Sequence, residues 1–295
     1  YFELVMLAAV WGASFMFMRL ASPEFGPISL IAVRLFISAM VLLPILLQRR
    51  EISLVLANWH KFLWTGLATT ALPFTLFSYV TLSLTAGNTS LLNATVPMFS
   101  AIIAWFWLKE KLTVFGIAGL IMGFLGVFIL ASPEGMGAGF ILLPVLAALF
   151  AATLYGYGSC FSRLYMQDFS SMTVTAGSQL FAALFMLPFG IFFWPEASPS
   201  SASWLSAIAL GIFCTALSLT FFFHLLKQIG VANTVSVAYL IPVFGILWGY
   251  IFLDETVTST MLIGGVGIFI GIALTTSPLG KAGKETSGIS KKIAE

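Results

Sequence analysis

Apolar residues run along this 295-residue chain in long blocks, separated by short links that carry the charges and many of the prolines and glycines. A helix needs about 20 residues, at 1.5 Å each, to cross about 30 Å of hydrocarbon. Cut at the breaks, the blocks predict ten spans, at about 3–20, 27–47, 62–83, 87–108, 113–130, 140–163, 172–193, 203–227, 232–253 and 258–276. Leu84–Ala86 and Gln228–Val231 leave so little chain between blocks that they predict antiparallel helical hairpins. The first block has no basic segment before it and is followed by another span, so it reads as a membrane helix and not as a cleaved leader. From about Pro278 the chain turns polar and rich in Gly, Ser and Lys, which predicts a disordered tail.

The pattern repeats. Gly66, Thr70, Ala71, Leu72 and Phe77 recur 145 residues further on as Gly211, Thr215, Ala216, Leu217 and Phe222. Asn88-Thr89 recurs as Asn233-Thr234, Pro97 as Pro242, Glu110 as Glu255, and Ser132-Pro133 as Ser277-Pro278. Residues 1–133 and 137–278 therefore form two five-span units, with 279–295 as the tail. An odd number of spans per unit sets the second copy upside down. The expected fold is an all-α membrane protein of ten transmembrane helices in two inverted five-helix repeats. Membrane proteins of this construction place their binding site between the halves near the bilayer midplane.

Composition supports the membrane reading. Hydrophobic residues make up 60% of the chain and charged residues 8%, against about 25% charged in soluble domains. Cys160 and Cys214 both lie inside apolar runs, which argues against a disulfide framework. His60 and His224 are the only histidines, too few for a histidine metal cluster. No phosphate-binding loop, zinc spacing or nucleophile motif is present, so no cofactor, metal or nucleic-acid partner is expected. Apart from Arg19 and the intramembrane Arg34, every Lys and Arg falls on one side if the spans alternate. The positive-inside rule then puts both termini in the cytoplasm and the chain in the inner (plasma) membrane.

Several of these segments carry a family resemblance. They are Trp11-Gly12, Arg34-Leu35-Phe36, Asn88-Thr89-Ser90-Leu91-Leu92 through Pro97 to Leu108-Lys109-Glu110-Lys111, and Ala238-Tyr239-Leu240-Ile241-Pro242 through Leu253-Asp254-Glu255-Thr256. Across essentially the whole chain the sequence resembles the drug/metabolite transporter superfamily, EamA-type. The resemblance implies ten transmembrane helices and movement of small metabolites, often export of amino acids or related compounds. It does not imply a particular substrate.

Candidate site residues follow from depth. Trp11, Ser14, Thr70, Ser90, Asn93, Tyr155, Thr215, Ser236 and Tyr239 are polar or amphipathic groups at mid-span and candidate substrate contacts. Ser90 with Asn93, and Ser236 with Tyr239, are each one helical turn apart on a shared face. The bland alternative for each is an interhelical hydrogen bond, about 0.6 kcal/mol in membranes. Pro73, Pro97 and Pro242 lie near mid-span, where each frees a carbonyl one turn earlier and serves as a hinge or as a simple kink. Tyr79 with Asn88, and their repeat mates His224 with Asn233, are candidate outer and inner gate pairs. His224 is also suited to carry a coupling proton, or else anchors its helix end. No Asp or Glu sits at mid-membrane, which removes the usual ion-binding carboxylate. Arg34 leaves two readings open: a structural cation that snorkels or bonds backbone carbonyls, or the counter-charge for a substrate carboxylate.

These features point to a secondary transporter, not an enzyme, that exports small metabolites by alternating access, with amino acids or derivatives as the first substrate class. A multidrug or aromatic-compound exporter is the alternative. A lipid-modifying membrane enzyme fits less well, because no acids, bases or metal ligands cluster. The implied partners are a small-molecule substrate, the lipid bilayer and, through His224, protons. The spacings Gly119-x3-Gly123 and Gly267-x3-Gly271 suit close helix packing within one copy or between two, so monomer and homodimer both remain open.

Overall fold

A computed structural model describes residues 2–132, 142–235 and 237–276, with backbone alone at Leu226, Lys227, Gly230, Val231, Ala232, Asn233 and Val235. The described residues are almost entirely helical. Helix α1 spans Phe2–Phe25 and α2 Pro27–Gln48, and a short helix, Ile52–Ala57, follows. Helix α3 runs over 59–80 as Trp59–Gly66, a π-helical segment Leu67–Ala71, and Leu72–Val80. Helix α4 covers Ala86–Trp107, and α5 covers Val114–Leu130. Helices α6 (Leu142–Tyr165) and α7 (Ser171–Phe192) come next. Helix α8 covers 201–235 as Ser201–Gly211, a second π-helical segment Ile212–Leu217, and Ser218–Val235. Helices α9 (Val237–Leu253) and α10 (Ser259–Thr276) complete the described chain.

Seven of these segments are long and apolar enough to cross a bilayer: α1, α2, α4, α6, α7, Ser201–Leu225 of α8, and α10. Helices α5 and α9 are apolar but shorter, at 17 residues each. Many large apolar side chains point outward, among them Phe106, Phe128, Phe192 and Phe252. That outward face is what lipid, and not water, stabilises.

Boundaries differ from the sequence expectation in two informative places. The expected link at Gln228–Val231 is helical, and α8 continues to Val235; the single Gly230 there does not stop a helix that lacks proline. Helix α4 is interrupted at Ala94–Thr95, and Pro97 sits in the first turn of the piece that follows. Proline lacks the N–H that a helix start leaves unpaired, so it is tolerated there. Ser236, the stretch 133–141 and the residues from 277 onward, including the expected tail, lie outside the described residues.

Equivalent helices of the two sequence copies pack on one another, antiparallel. In α4 and α9, Ala86 faces Gly249 while Ser90 faces Gly245. In α2 and α7, Ser29 donates to the carbonyls of Gly190 (3.2 Å) and Phe193 (2.8 Å), and Gly190 leaves room for Ala32. In α5 and α10, Gly119 meets Gly271 and Gly126 meets Gly264. A Cβ on Gly271 would lie 2.5 Å from the Gly123 Cα and 2.7 Å from the Gly119 carbonyl oxygen. Only hydrogen fits between two backbones this close, which is how small residues drive helix association in lipid.

Gly271→Ala therefore forces a backbone shift, of the kind that costs about 1–3 kcal/mol in a packed interior. Its melting midpoint in detergent, read by fluorescence size exclusion, will fall clearly below that of Gly265→Ala, whose added Cβ meets only the movable Leu91 side chain at 3.1 Å. Equal midpoints would contradict this packing.

Candidate functional site

The two π-helical segments begin immediately after Gly66 and Gly211 and contain Thr70 and Thr215, so they occupy equivalent positions in the two copies. A π turn widens the helix by one residue and loosens its hydrogen-bond ladder, a distortion that recurs at functional sites. Each glycine is pressed on a neighbouring backbone: a Cβ on Gly66 would lie 2.3 Å from the Ser178 carbonyl oxygen, and one on Gly211 would lie 3.0 Å from that of Arg34. The threonine hydroxyls serve the widened turns. Thr70 donates to the Gly66 carbonyl at 2.7 Å, and Thr215 donates five residues back to Leu210 at 2.7 Å.

Arg34 reaches the second of these segments. Only 2% exposed, it donates from Nε to the Thr215 hydroxyl at 2.9 Å. One terminal nitrogen approaches the Met18 sulfur at 3.8 Å, and the guanidinium carbon lies 3.7 Å from the centre of the Phe74 ring. The side chain is buried, and among the described residues it bonds no backbone carbonyl. Among the described residues no carboxylate pairs with it; the ion pair they contain joins Arg163 to Glu110 at an exposed site. Its second terminal nitrogen has no hydrogen-bond partner among them. A guanidinium stays charged and presents five N–H donors. One hydroxyl, one weak sulfur acceptor and one aromatic face leave most of that capacity unused, in a place where a lone Arg costs about 2.5–3.5 kcal/mol on insertion scales.

The Phe74 ring over this cation belongs to a larger aromatic cluster. Phe15, Phe74, Phe77 and Tyr155 meet with ring centres 6.0–6.4 Å apart. Trp11 lies 5.4 Å from Phe222 and donates from its indole N–H to Ser218 at 2.9 Å. Phe77 and Phe222 are repeat mates, and Trp11-Gly12 matches Tyr155-Gly156 at a spacing one residue shorter, so the two pairs correspond across the copies. A groove of about 540 Å³ runs between α1 and α8 from Ser218 to His224, lined also by Met6, Val10, Phe213 and Leu217. The groove opens at the exposed side chains of Met6, Phe213 and Leu217, and it is lined by neither Arg34 nor Thr215, Trp11 or Tyr155.

Of the residues proposed from sequence, Thr215 meets Arg34 directly, Tyr155 packs on Phe74, whose ring faces the guanidinium, and Trp11 bonds Ser218, about one turn beyond Thr215. Ser14 is buried on α1, about three turns before Glu24, and Asn93 is half-buried at the break in α4. Ser90 donates to Gly87 at 2.7 Å and reaches the Pro242 carbonyl at 3.5 Å, and Tyr239 bonds Thr276 at 2.7 Å. Both therefore tie helices to one another. Thr70 is spent on its own helix. Pro73 lies one residue beyond Leu72, which follows the first π segment, and Pro242 lies inside α9. Tyr79 is half-buried and Asn88 buried near the start of α4. His224 is exposed, bonds Gln228 at 2.9 Å and stacks on Phe221. Asn233 lies in helix, and Ser236 falls outside the described residues.

Three ionic contacts that depth alone did not reveal hold the ends of the fold. Glu255 accepts from the Ala86 N–H at 2.8 Å and the Gly87 N–H at 3.4 Å, capping α4 from the other copy. Arg19 donates to the Thr81 carbonyl at the end of α3. Glu24 accepts from the Ser200 N–H at 2.5 Å and its hydroxyl at 2.9 Å, tying the end of α1 to the start of α8. Opposite charges at helix ends stabilise them through the unpaired N–H and C=O groups there.

The comparisons with known proteins agree with this picture. Residues 2–132 and 142–277 each match the EamA-like transporter family. The "Uncharacterized transporter YvbV" of Bacillus subtilis is 28% identical, over 99% of this chain and 96% of its own. The "Uncharacterized transporter YoaV" of the same organism is 26% identical, over 92% and 95%. The "Probable terminal-alkyne amino-acid exporter" of Streptantibioticus cattleyicolor is 24% identical, over 64% and 63%. A solved protein crystal structure shares the fold with a TM-score of 0.64 at 21% identity, covering 93% of this chain and 94% of that one. Apolar multi-pass helices and two family matches that together cover nearly the whole chain make it a membrane transporter of the EamA-like family, within the drug/metabolite transporter superfamily.

Proposed function

We propose that the protein is a secondary carrier that exports small metabolites, amino acids or their derivatives first among them, by alternating access between two inverted halves. The observation that carries this reading is the antiparallel packing of equivalent helices, α2 on α7, α4 on α9 and α5 on α10. Two copies related in this way exchange roles when one half rocks against the other, so an outward-open state and an inward-open state have similar energies. The reading counts α3, α5 and α9 as spans beside the seven longer segments, which gives ten. Both termini then lie in the cytoplasm and the Tyr79/Asn88 and His224/Asn233 ends open in turn.

The polar and aromatic cluster at Arg34, Thr215, Trp11 and Tyr155 is the substrate site in this scheme. The amino-acid assignment draws support from the printed name of the Streptantibioticus relative. With no buried carboxylate among the described residues, a cationic drug would lack a counter-charge, which weighs against the multidrug alternative.

Purified protein in liposomes will take up members of a labelled amino-acid panel saturably, and Trp11→Ala and Tyr155→Ala will each weaken uptake by about tenfold, the scale of one lost aromatic contact of 1–1.5 kcal/mol. Acceleration by an imposed pH gradient that His224→Gln removes would make His224 the coupling group. Absence of uptake for the whole panel would refute the substrate class. For orientation, a fluorescent protein fused after Glu295 will fold and fluoresce, and alkaline phosphatase inserted after Glu196 will be active; the reverse pattern would invert the topology.

A further inference from the structure

Arg34 sits at the point where the two copies differ in charge. Its equivalent 145 residues later is Gln179, which is 1% exposed on α7 and whose side-chain oxygen has no hydrogen-bond partner among the described residues. One half of the interior therefore carries a fixed positive charge and the other a neutral amide. Each lies on the helix that presses on the glycine preceding a π segment: Arg34 itself on Gly211, and the neighbour of Gln179, Ser178, on Gly66. The cation is held in place by Thr215, Met18 and Phe74 and is neutralised by none of them. Guanidinium recognises carboxylate through paired, parallel N–H donors; among the described residues the terminal nitrogens of Arg34 have one weak partner between them, the Met18 sulfur.

We propose that Arg34 binds the carboxylate of the transported molecule, so that the substrates are small compounds with one free carboxylate and an apolar body. This rests on the carrier reading above and adds the chemical group recognised. The Thr215 hydroxyl positions the guanidinium through Nε, and the terminal nitrogens take the carboxylate oxygens. The apolar body of the substrate lies against Phe77, Tyr155 and Trp11. Entry of an anion neutralises the buried charge, whereas an amine adds to it and an ester or amide leaves it unpaired. The carboxylate is thus required for tight binding, and an α-amino group is not.

Counterflow in liposomes tests this with four probes of one shape: labelled phenylalanine, 3-phenylpropanoate, phenylalaninamide and 2-phenylethylamine. The two carboxylates will exchange, and the amide and amine will be weaker by about tenfold or more, the scale of one charge-assisted hydrogen bond. Arg34→Gln will lower carboxylate exchange and erase the preference, and Arg34→Lys will keep part of it. The comparison of probes on the unaltered protein holds even if a variant fails to fold. Exchange of the amide and amine as fast as the carboxylates would overturn the proposal and leave the carrier reading standing. Exchange of none of the four, with active exchange of other metabolites that lack a carboxylate, would also overturn it. Transport of nothing at all would remove the carrier reading and the proposal together.

Discussion

A positive charge buried without an acid is the constraint around which the interior is arranged. Arg34 lies inside the bundle with one hydroxyl, one sulfur and one aromatic face for company. Hydrocarbon penalises such a group, and stability alone would favour a leucine there. The surroundings are built to hold it: the π turn at Ile212–Leu217 presents Thr215, Gly211 lets α8 approach the backbone of α2, and Phe74 supplies a ring face. A buried charge that costs stability is the reason we propose this cluster as the binding site.

The same local device appears twice, and its two versions are unequal. Both copies have a glycine pressed on a neighbouring helix, then a π segment with a threonine, then an aromatic pair, Tyr155 with Phe77 or Trp11 with Phe222. Geometry is shared and charge is not, since Gln179 stands where Arg34 does in the first copy. In the carrier we propose, equal geometry would give two states of similar energy, and unequal charge would orient the substrate. Around this interior, tight glycine contacts in α5 and α10 and the Glu255 cap on α4 hold the halves together at their margins.

Much of the architecture was legible in the chain. The repeat spacing paired helices that the structure places in contact, and the apolar blocks located the helices to within a few residues, the run past Gln228 being the main exception. What sequence left open was partnership. Thr215 is 181 residues from Arg34, and no local pattern announces that the two meet. The π segments have the same apolar spacing as ordinary helix, and the paired glycines with a threonine four residues on are the one trace they leave. Depth singled out Ser90, Thr70 and Tyr239 along with Trp11, Tyr155 and Thr215. Only geometry shows that Thr215, whose hydroxyl also donates to Leu210, meets the cation, while Ser90 reaches the Pro242 carbonyl and Tyr239 bonds Thr276. Lining up Arg34 with Gln179 would have flagged the charge asymmetry from the repeat alone.

Solid-state NMR tests the central claim most directly, with 15N-arginine protein in bilayers and phenylalanine labelled with 13C at its carboxyl carbon. The account predicts that bound ligand carbon is dephased by guanidinium nitrogen at hydrogen-bonding range, and that Arg34→Lys, which still carries a charge but no arginine label at that place, abolishes the dephasing while ligand remains bound. Bound ligand with no dephasing in the unaltered protein, or dephasing that survives the substitution, would contradict it.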